Sequence, residues 1–347
     1  MTFSQRVHVV AILSLLALLA SCSRQEAAPS PSSAPVKLKV LVLPYLGYLP
    51  FFIAQEGGYF TRNGLDVEFV ETSSARDVFP LLIQGGLDIY SGTIHSGLLN
   101  AINRGADVRI VADKGTFGPS AHAYYAILVR RDLAESGALS DPARLKGLRV
   151  AQTLGSSTQY VLETLLASVG LTLDDLEVRD TPAVLRGEAL ANGAVDVAAN
   201  AEPWVTRILD TGTAVVWKTG PEIVPDFQYC VMAFGRSLLR ENRDAGNRFM
   251  LAWLQAVRQY NLGKTEENLR IAAAHTGLDR DLLKRMTWPL IRSDGRLHRQ
   301  SLLDFQRWCV DKKLQDRPVP EEDLYDLSFV DYANARLSET PERSPSH

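Results

Sequence analysis

Apolar and polar positions along this chain follow a pattern that is laid down twice. Residues 38–43 form a short apolar run of strand length, followed by a loop with Tyr45, Gly47 and Tyr48. Pro50 suits the first turn of a helix, and an apolar face continues through Tyr59. Asn63-Gly64 then turns the chain into a second strand, residues 66–70. The same order returns with a strand at 148–152, a loop at 153–156, a helix to about Val169, Gly170 and a strand at 176–179. Leu82-Ile83-Gln84-Gly85-Gly86-Leu87-Asp88-Ile89 can be laid on Leu190-Ala191-Asn192-Gly193-Ala194-Val195-Asp196-Val197 without a gap. Each copy reads as a helix that stops at glycine, which takes left-handed angles without strain, and a strand that starts at the aspartate. Strands alternating with helices predict parallel sheets, so the pattern implies an α/β fold of two similar βαβ lobes.

Two further apolar runs, 124–130 and 229–234, are each followed by a basic residue and a helix-like segment. They are the expected hinge strands, one carrying the chain into the second lobe and the other returning it. Residues 36–125 and 230–347 are thus expected to form lobe one, and 126–229 lobe two. From about Ser237 the chain reads as helical, with segments at 247–260, 265–275, 279–286 and 300–312. Phe249, Trp253, Ala256, Val257 and Tyr260 recur at helical spacing, which predicts a packing stripe. These helices are expected to cover the outside of lobe one.

The first residues change the picture of where the chain works. Arg6 is followed by an uncharged apolar stretch from Val9 to Ala20, too short for the ~30 Å hydrocarbon core. A basic start, an apolar run and small residues describe an export signal over residues 1–21. Leu19-Ala20-Ser21-Cys22 resembles the lipobox of bacterial lipoproteins, which implies acylation at Cys22. Residues 22–35 are rich in Ser, Ala and Pro and predict a flexible tether. The net charge of −3 gives no electrostatic footprint for nucleic acid. Cys230 and Cys309 could pair or remain separate thiols. No CxxC, HExxH or Cys/His cluster exists, so neither a metal nor a cofactor is expected.

In open parallel sheets, ligands bind beyond the carboxyl ends of the strands. That rule nominates Tyr45, Tyr48 and Phe51 after the first strand, Ser73 and Ser74 after the second, and Ser91, Thr93 and His95 around the third. In lobe two it nominates Gly155, Ser156, Ser157, Thr158 and Tyr160, then Asn200, Glu202 and Trp204. Gly155-Ser156-Ser157-Thr158 at a helix start offers backbone N–H groups and hydroxyls that suit a sulfonate, phosphate or carboxylate. A plain N-cap by one serine is the competing explanation. Tyr45, Tyr48, Tyr90, Tyr124, Tyr125 and Trp204 as a group suit a planar or partly apolar ligand. Glu202-Pro203-Trp204 places a carboxylate for a ligand donor or makes a structural turn. His95 and His122 have no matched nucleophile, so no catalytic residue is expected.

Gly47-Tyr48-Leu49-Pro50-Phe51-Phe52-Ile53-Ala54-Gln55-Glu56-Gly57-Gly58-Tyr59-Phe60 and Asn63-Gly64-Leu65-Asp66-Val67 resemble the opening of ABC-importer solute-binding proteins. The branch is that of aliphatic sulfonates, taurine, nitrate and thiamine-pyrimidine precursors. Gly155-Ser156-Ser157-Thr158, Glu202-Pro203-Trp204 and Asp326-Leu327-Ser328-Phe329-Val330 are similar to it as well, so the likeness runs over nearly all of 36–335. It implies the two-lobed periplasmic-binding fold (type II), closing on a small molecule and delivering it to a permease with its ATPase in the inner membrane. The resemblance further implies that the 45–51 loop, Ser73, Ser74, residues 91–93 and residues 155–160 line the cleft. With the export signal it implies a monomeric lipoprotein at the outer face of the cytoplasmic membrane or in the periplasm. An enzyme of the same fold acting on a pyrimidine or related metabolite, or an extracellular sensor, are the alternatives. The CCCFC motif of the related eukaryotic pyrimidine synthases is absent.

Overall fold

The repeated pattern folds into two five-stranded sheets with the same plan. The computed structural model describes residues 34–72, 74–119 and 124–339. The export signal, Cys22, most of the tether, Ser73 and His122 therefore lie outside the described residues. The first sheet contains β1 (Val36–Val42), β2 (Leu65–Glu71), β3 (Ile89–Thr93), β4 (Arg109–Thr116) and β10 (Gln228–Phe234), in the order β2-β1-β3-β10-β4. The second contains β5 (Tyr125–Arg130), β6 (Arg149–Gln152), β7 (Glu177–Asp180), β8 (Val197–Ala201) and β9 (Ala214–Thr219), in the order β7-β6-β8-β5-β9.

Each sheet thus has three parallel strands, then a strand arriving from the other lobe, then a fourth. The arriving strands, β10 and β5, run antiparallel to their neighbours, where alternation alone had predicted parallel pairing throughout. The matched aspartates explain the shared register. Asp88 exchanges bonds with Lys39, its carboxylate accepting from Lys39 N at 2.7 Å, and Asp196 does the same with Arg149 N at 3.0 Å. In both lobes this acidic side chain fastens the start of the third strand to the start of the first.

The helices that bear on the site are α1 (Leu49–Glu56), α2 (Ala75–Gln84), α3 (Ser96–Asn103), α4 (Ser157–Ser168), α5 (Arg186–Ala191) and α6 (Trp204–Asp210). The carboxyl-terminal part adds α7 (Arg243–Tyr260), α8 (Glu266–Thr276), α9 (Arg280–Arg285), α10 (Arg299–Asp311) and α11 (Ser328–Glu339). The α7 stripe buries Phe249, Trp253, Ala256, Val257 and Tyr260, and α7 and α8 pack on α1 of lobe one as the pattern predicts. The covering is wider than lobe one, however. Helix α10 also packs on α4 of lobe two, and Arg285 at the end of α9 holds Asp210 at the end of α6 at 2.7 and 2.9 Å. The two crossings of the chain are fastened together, with Phe117 N donating to Phe227 O at 2.8 Å.

Candidate functional site

Both sheets turn the carboxyl ends of their parallel strands toward the seam between them. Because β5 and β10 run the other way, they bring their first residues, Tyr125, Tyr229 and Cys230, to the same place. The seam is closed by a two-sided backbone clasp. Ser96 N donates to Gly155 O and Ser157 N to Ile94 O, both at 3.0 Å, so His95 and Ser156 face each other as in a short antiparallel bridge. Ser96 Oγ adds a bond to Gly155 O at 3.2 Å.

The groups for which the sequence offered either a ligand or an N-cap have partners within the protein. Gly155 has φ +68°, a left-handed turn, and gives its N–H to Gln159 Oε1 at 2.7 Å. Ser156 caps α4 by accepting from Thr158 N, and its own hydroxyl donates to Thr153 O. Ser157 is buried and its Oγ donates to Tyr229 O at 3.2 Å. Thr158 Oγ1 lies 3.3 Å from Tyr229 Oη. Tyr160 packs on Phe227, Phe305 and Trp308.

On lobe one, Tyr45 is half-buried, whereas Tyr48 is buried and donates to Ser91 O at 2.7 Å. Phe51 sits in the core, its ring 4.3 Å from that of Trp253, because it falls on the inner face of α1. Ser74 precedes α2 and gives its N–H to Thr72 Oγ1. The Ser91 hydroxyl is spent on Leu41 O, and Thr93 ends β3 half-buried. On lobe two, Glu202 accepts from Thr206 N at 3.0 Å and Thr206 Oγ1 at 2.6 Å. Burial raises its carboxyl above the ordinary range, and its bonds fasten the start of α6. Trp204 lies under the Arg207 guanidinium.

Several buried polar atoms near the seam have no protein partner: Tyr124 Oη, Tyr125 Oη, Asn200 Oδ1, Trp204 Nε1, His95 Nε2, and both polar atoms of Gln152. Unpartnered buried polar groups are rare and costly in folded proteins. Two buried cations accompany them. Arg186, 3% exposed, donates to Thr181 O at 2.8 Å, to Thr153 Oγ1 at 2.7 Å and to Ala199 O, and burial lowers its pKa. Lys114 on β4, also 3% exposed, lies with Nζ 3.2 Å from the centre of the Tyr48 ring. Lys114, Arg186, Gln152 and Tyr229 were not among the nominated residues. An Asp-Lys pair interrupting the apolar run Ile110-Val111-Ala112 was the available signal for the first. Cys230 and Cys309 are free thiols, the former half-buried at the seam. Among the described residues, no group of three His, Cys, Asp or Glu could hold a metal ion.

Solved structures share this two-sheet architecture, which is the periplasmic-binding-protein fold. The ligand-binding component of an ABC-type import system from Staphylococcus aureus, with zinc bound, is 16% identical, with 86% of this chain and 99% of that one covered at a TM-score of 0.72. The alkanesulfonate-binding protein SsuA from Xanthomonas axonopodis pv. citri, bound to MOPS, is 19% identical, with 84% and 99% covered at a TM-score of 0.69. The desulfurization enzyme DSZB is 16% identical, with 87% and 99% covered at a TM-score of 0.63. No curated protein matches the chain. The NMT1-like family model matches residues 32–276, well over half of the sequence, and the chain belongs to the NMT1-like family.

Proposed function

We propose that this protein captures a small organic solute between its two sheets and passes it, chemically unchanged, to a membrane importer. The observation that carries the reading is the set of unpartnered buried polar atoms, contributed by both lobes, at the carboxyl ends of the strands. A solute seated there supplies the missing partners, and its contacts with both lobes favour closure because it binds the closed form better than the open one. The solute class is a sulfonate, as for the SsuA relative, or an aromatic heterocycle such as a pyrimidine precursor or flavin, for which the tyrosines provide walls. Of the residues nominated from the sequence, Tyr45, Thr93, Tyr124 and Trp204 are the ones this reading keeps as its neighbours. In this reading Cys22 carries the lipid anchor, the tether of residues 22–35 spans the distance to a permease and its ATPase, and the protein works as a monomer.

A thermal-shift screen of the full chain against sulfonates, taurine, nitrate, hydroxymethylpyrimidines, thiamine and riboflavin tests the proposal. A solute at 100 times its Kd stabilises the fold by ~2.7 kcal/mol, a rise of a few degrees in Tm. A solute that raises Tm and is recovered unaltered supports capture. One that comes back transformed supports the enzyme alternative, for which the shared fold of DSZB is the precedent.

A further inference from the structure

We infer that Lys114 is the residue that binds the anionic group of the solute, a compact oxyanion such as a sulfonate or carboxylate. This rests on the solute-capture reading and names the charge-recognising residue within it.

Lys114 is buried as a residue, yet its ammonium makes no hydrogen bond or ion pair with any described residue. Its contact is the face of the Tyr48 ring, and Gly47 leaves the space beside Nζ open, since a Cβ there would stand 3.3 Å from it. The neighbouring carboxylate is not its partner. Asp113 points to the other side of β4, where its oxygens accept from Gly115 N at 2.8 Å, Gln228 Nε2 at 2.6 Å and Arg292 N at 2.7 Å. A buried cation without a counter-charge destabilises the protein that carries it, so the residue makes sense where a ligand brings the opposite charge.

Two other observations point the same way. The strands beside Lys114 place Cys230, half-buried at the seam, and the unpartnered hydroxyl of Tyr124 close together, a Cβ on Gly115 being 3.4 Å from both Cys230 Cβ and Tyr124 Oη. The competing anion sites are already engaged. The N–H of Gly155 is bonded to Gln159 Oε1 and that of Ser157 to Ile94 O, and Arg186 is held by three oxygens of its own lobe.

Burial brings the Lys114 pKa down to about 8, against the pull of Cys230 and Asp113. The groups around it stay fixed as that charge is lost. Tyr48, Tyr90 and Tyr124 are raised by burial, Cys230 is pushed up to about 11, and Asp113, at about 6, is already ionised. Anion affinity should therefore fall about tenfold per pH unit above 8.

The test uses matched probes that differ in charge: benzenesulfonate with benzenesulfonamide, ethanesulfonate with ethanesulfonamide, and benzoate with benzamide. Calorimetry and Tm are read on the full chain and on Lys114→Met and Lys114→Arg. The expected result is anion affinity about 10–100-fold weaker in Lys114→Met, with neutral probes unaffected. Lys114→Arg should bind anions without the alkaline loss. The unliganded Lys114→Met protein should melt at or above the wild type, a readout that needs no ligand. Equal anion affinity in wild type and Lys114→Met, or a lower Tm of the unliganded variant, overturns the assignment of Lys114. Neutral probes that bind while anions do not overturn it and leave solute capture standing. Silence from every probe and from the wider screen counts against both.

Discussion

Ser157 gives both of its donors to the side of the first sheet, its N–H to Ile94 O and its hydroxyl to Tyr229 O on β10. The residue looked like an anion ligand in the sequence because a hydroxyl at a helix start serves either purpose. If the lobes close on a solute as proposed, these bonds stabilise the closed arrangement, and that role has a distinct signature. Ser157→Ala removes one hydrogen bond of about 0.5–1.5 kcal/mol, formed only when the lobes meet. Calorimetry on the variant should show a loss of up to about tenfold for anionic and neutral solutes alike. A loss confined to anions would return Ser157 to direct ligand contact, and no loss would remove it from closure. The contrast with Lys114, where charge decides the outcome, separates the two roles with the same pair of titrations.

At the scale of elements, the join between α4 and α10 is the contact that alternation of strands and helices did not anticipate. Glu163 on α4, 9% exposed, accepts from Gln159 Nε2 at 2.7 Å, Trp308 Nε1 at 3.3 Å and Lys312 Nζ at 2.5 Å. Gln159 in turn holds Gly155 N, so one chain of bonds runs from the clasp to a carboxyl-terminal helix. Glu163→Gln weakens the charged link to Lys312 while keeping the side chain's shape. The expected effect is a larger radius of gyration for the unliganded protein in small-angle scattering and a severalfold rise in solute Kd. An unchanged radius and Kd would show that α10 follows closure without holding it. The strands legible in the sequence are β1, β2, β3, β6, β7, β8 and the two crossing strands β5 and β10, each a short apolar or alternating stretch next to turn residues. Strands β4 and β9 escaped notice for opposite reasons. Burial of Asp113 and Lys114 breaks the apolar run of β4, and β9 is an edge strand with half its residues partly exposed. The site divided along the same line. The rule about carboxyl ends found the loops, but it does not reach Lys114 inside β4, marked only by its place after an apolar run, or Arg186, which is buried by distant segments and looks in sequence like any surface charge.

For the molecule as a whole, the proposed closure should be coupled to acidity through His95. The clasp pairs the backbone of this buried residue with that of Ser156, while its Nδ1 accepts from Leu98 N at 3.2 Å and its ring stands edge-on to Phe79 and Tyr90. Desolvation brings its pKa from 6.5 down to about 4, and the charge of Arg76 on α2 adds to the effect. That arginine faces Asp180 of lobe two at 3.4 Å. A depressed pKa gives stability that is full above 6.5 and is lost as the pH falls toward 4, up to about 3 kcal/mol for a shift of this size. Global stability alone will not reveal it. Asp113, raised from 3.8 to about 6 by burial, gains stability over nearly the same window as it takes up a proton. Solute affinity separates the two, because Asp113 is bonded within lobe one whereas His95 stands in the clasp, its backbone paired with Ser156 of lobe two. Opening the clasp relieves only the histidine. A neutral solute should therefore bind progressively more weakly between pH 6.5 and 4, at most about 100-fold. In His95→Asn, whose amide oxygen can still accept from Leu98 N, the dependence should flatten. Calorimetry at pH 7 and pH 5 on both proteins decides the matter. Equal slopes would mean that His95 remains buried when the lobes part, and that the clasp is not the surface that opens.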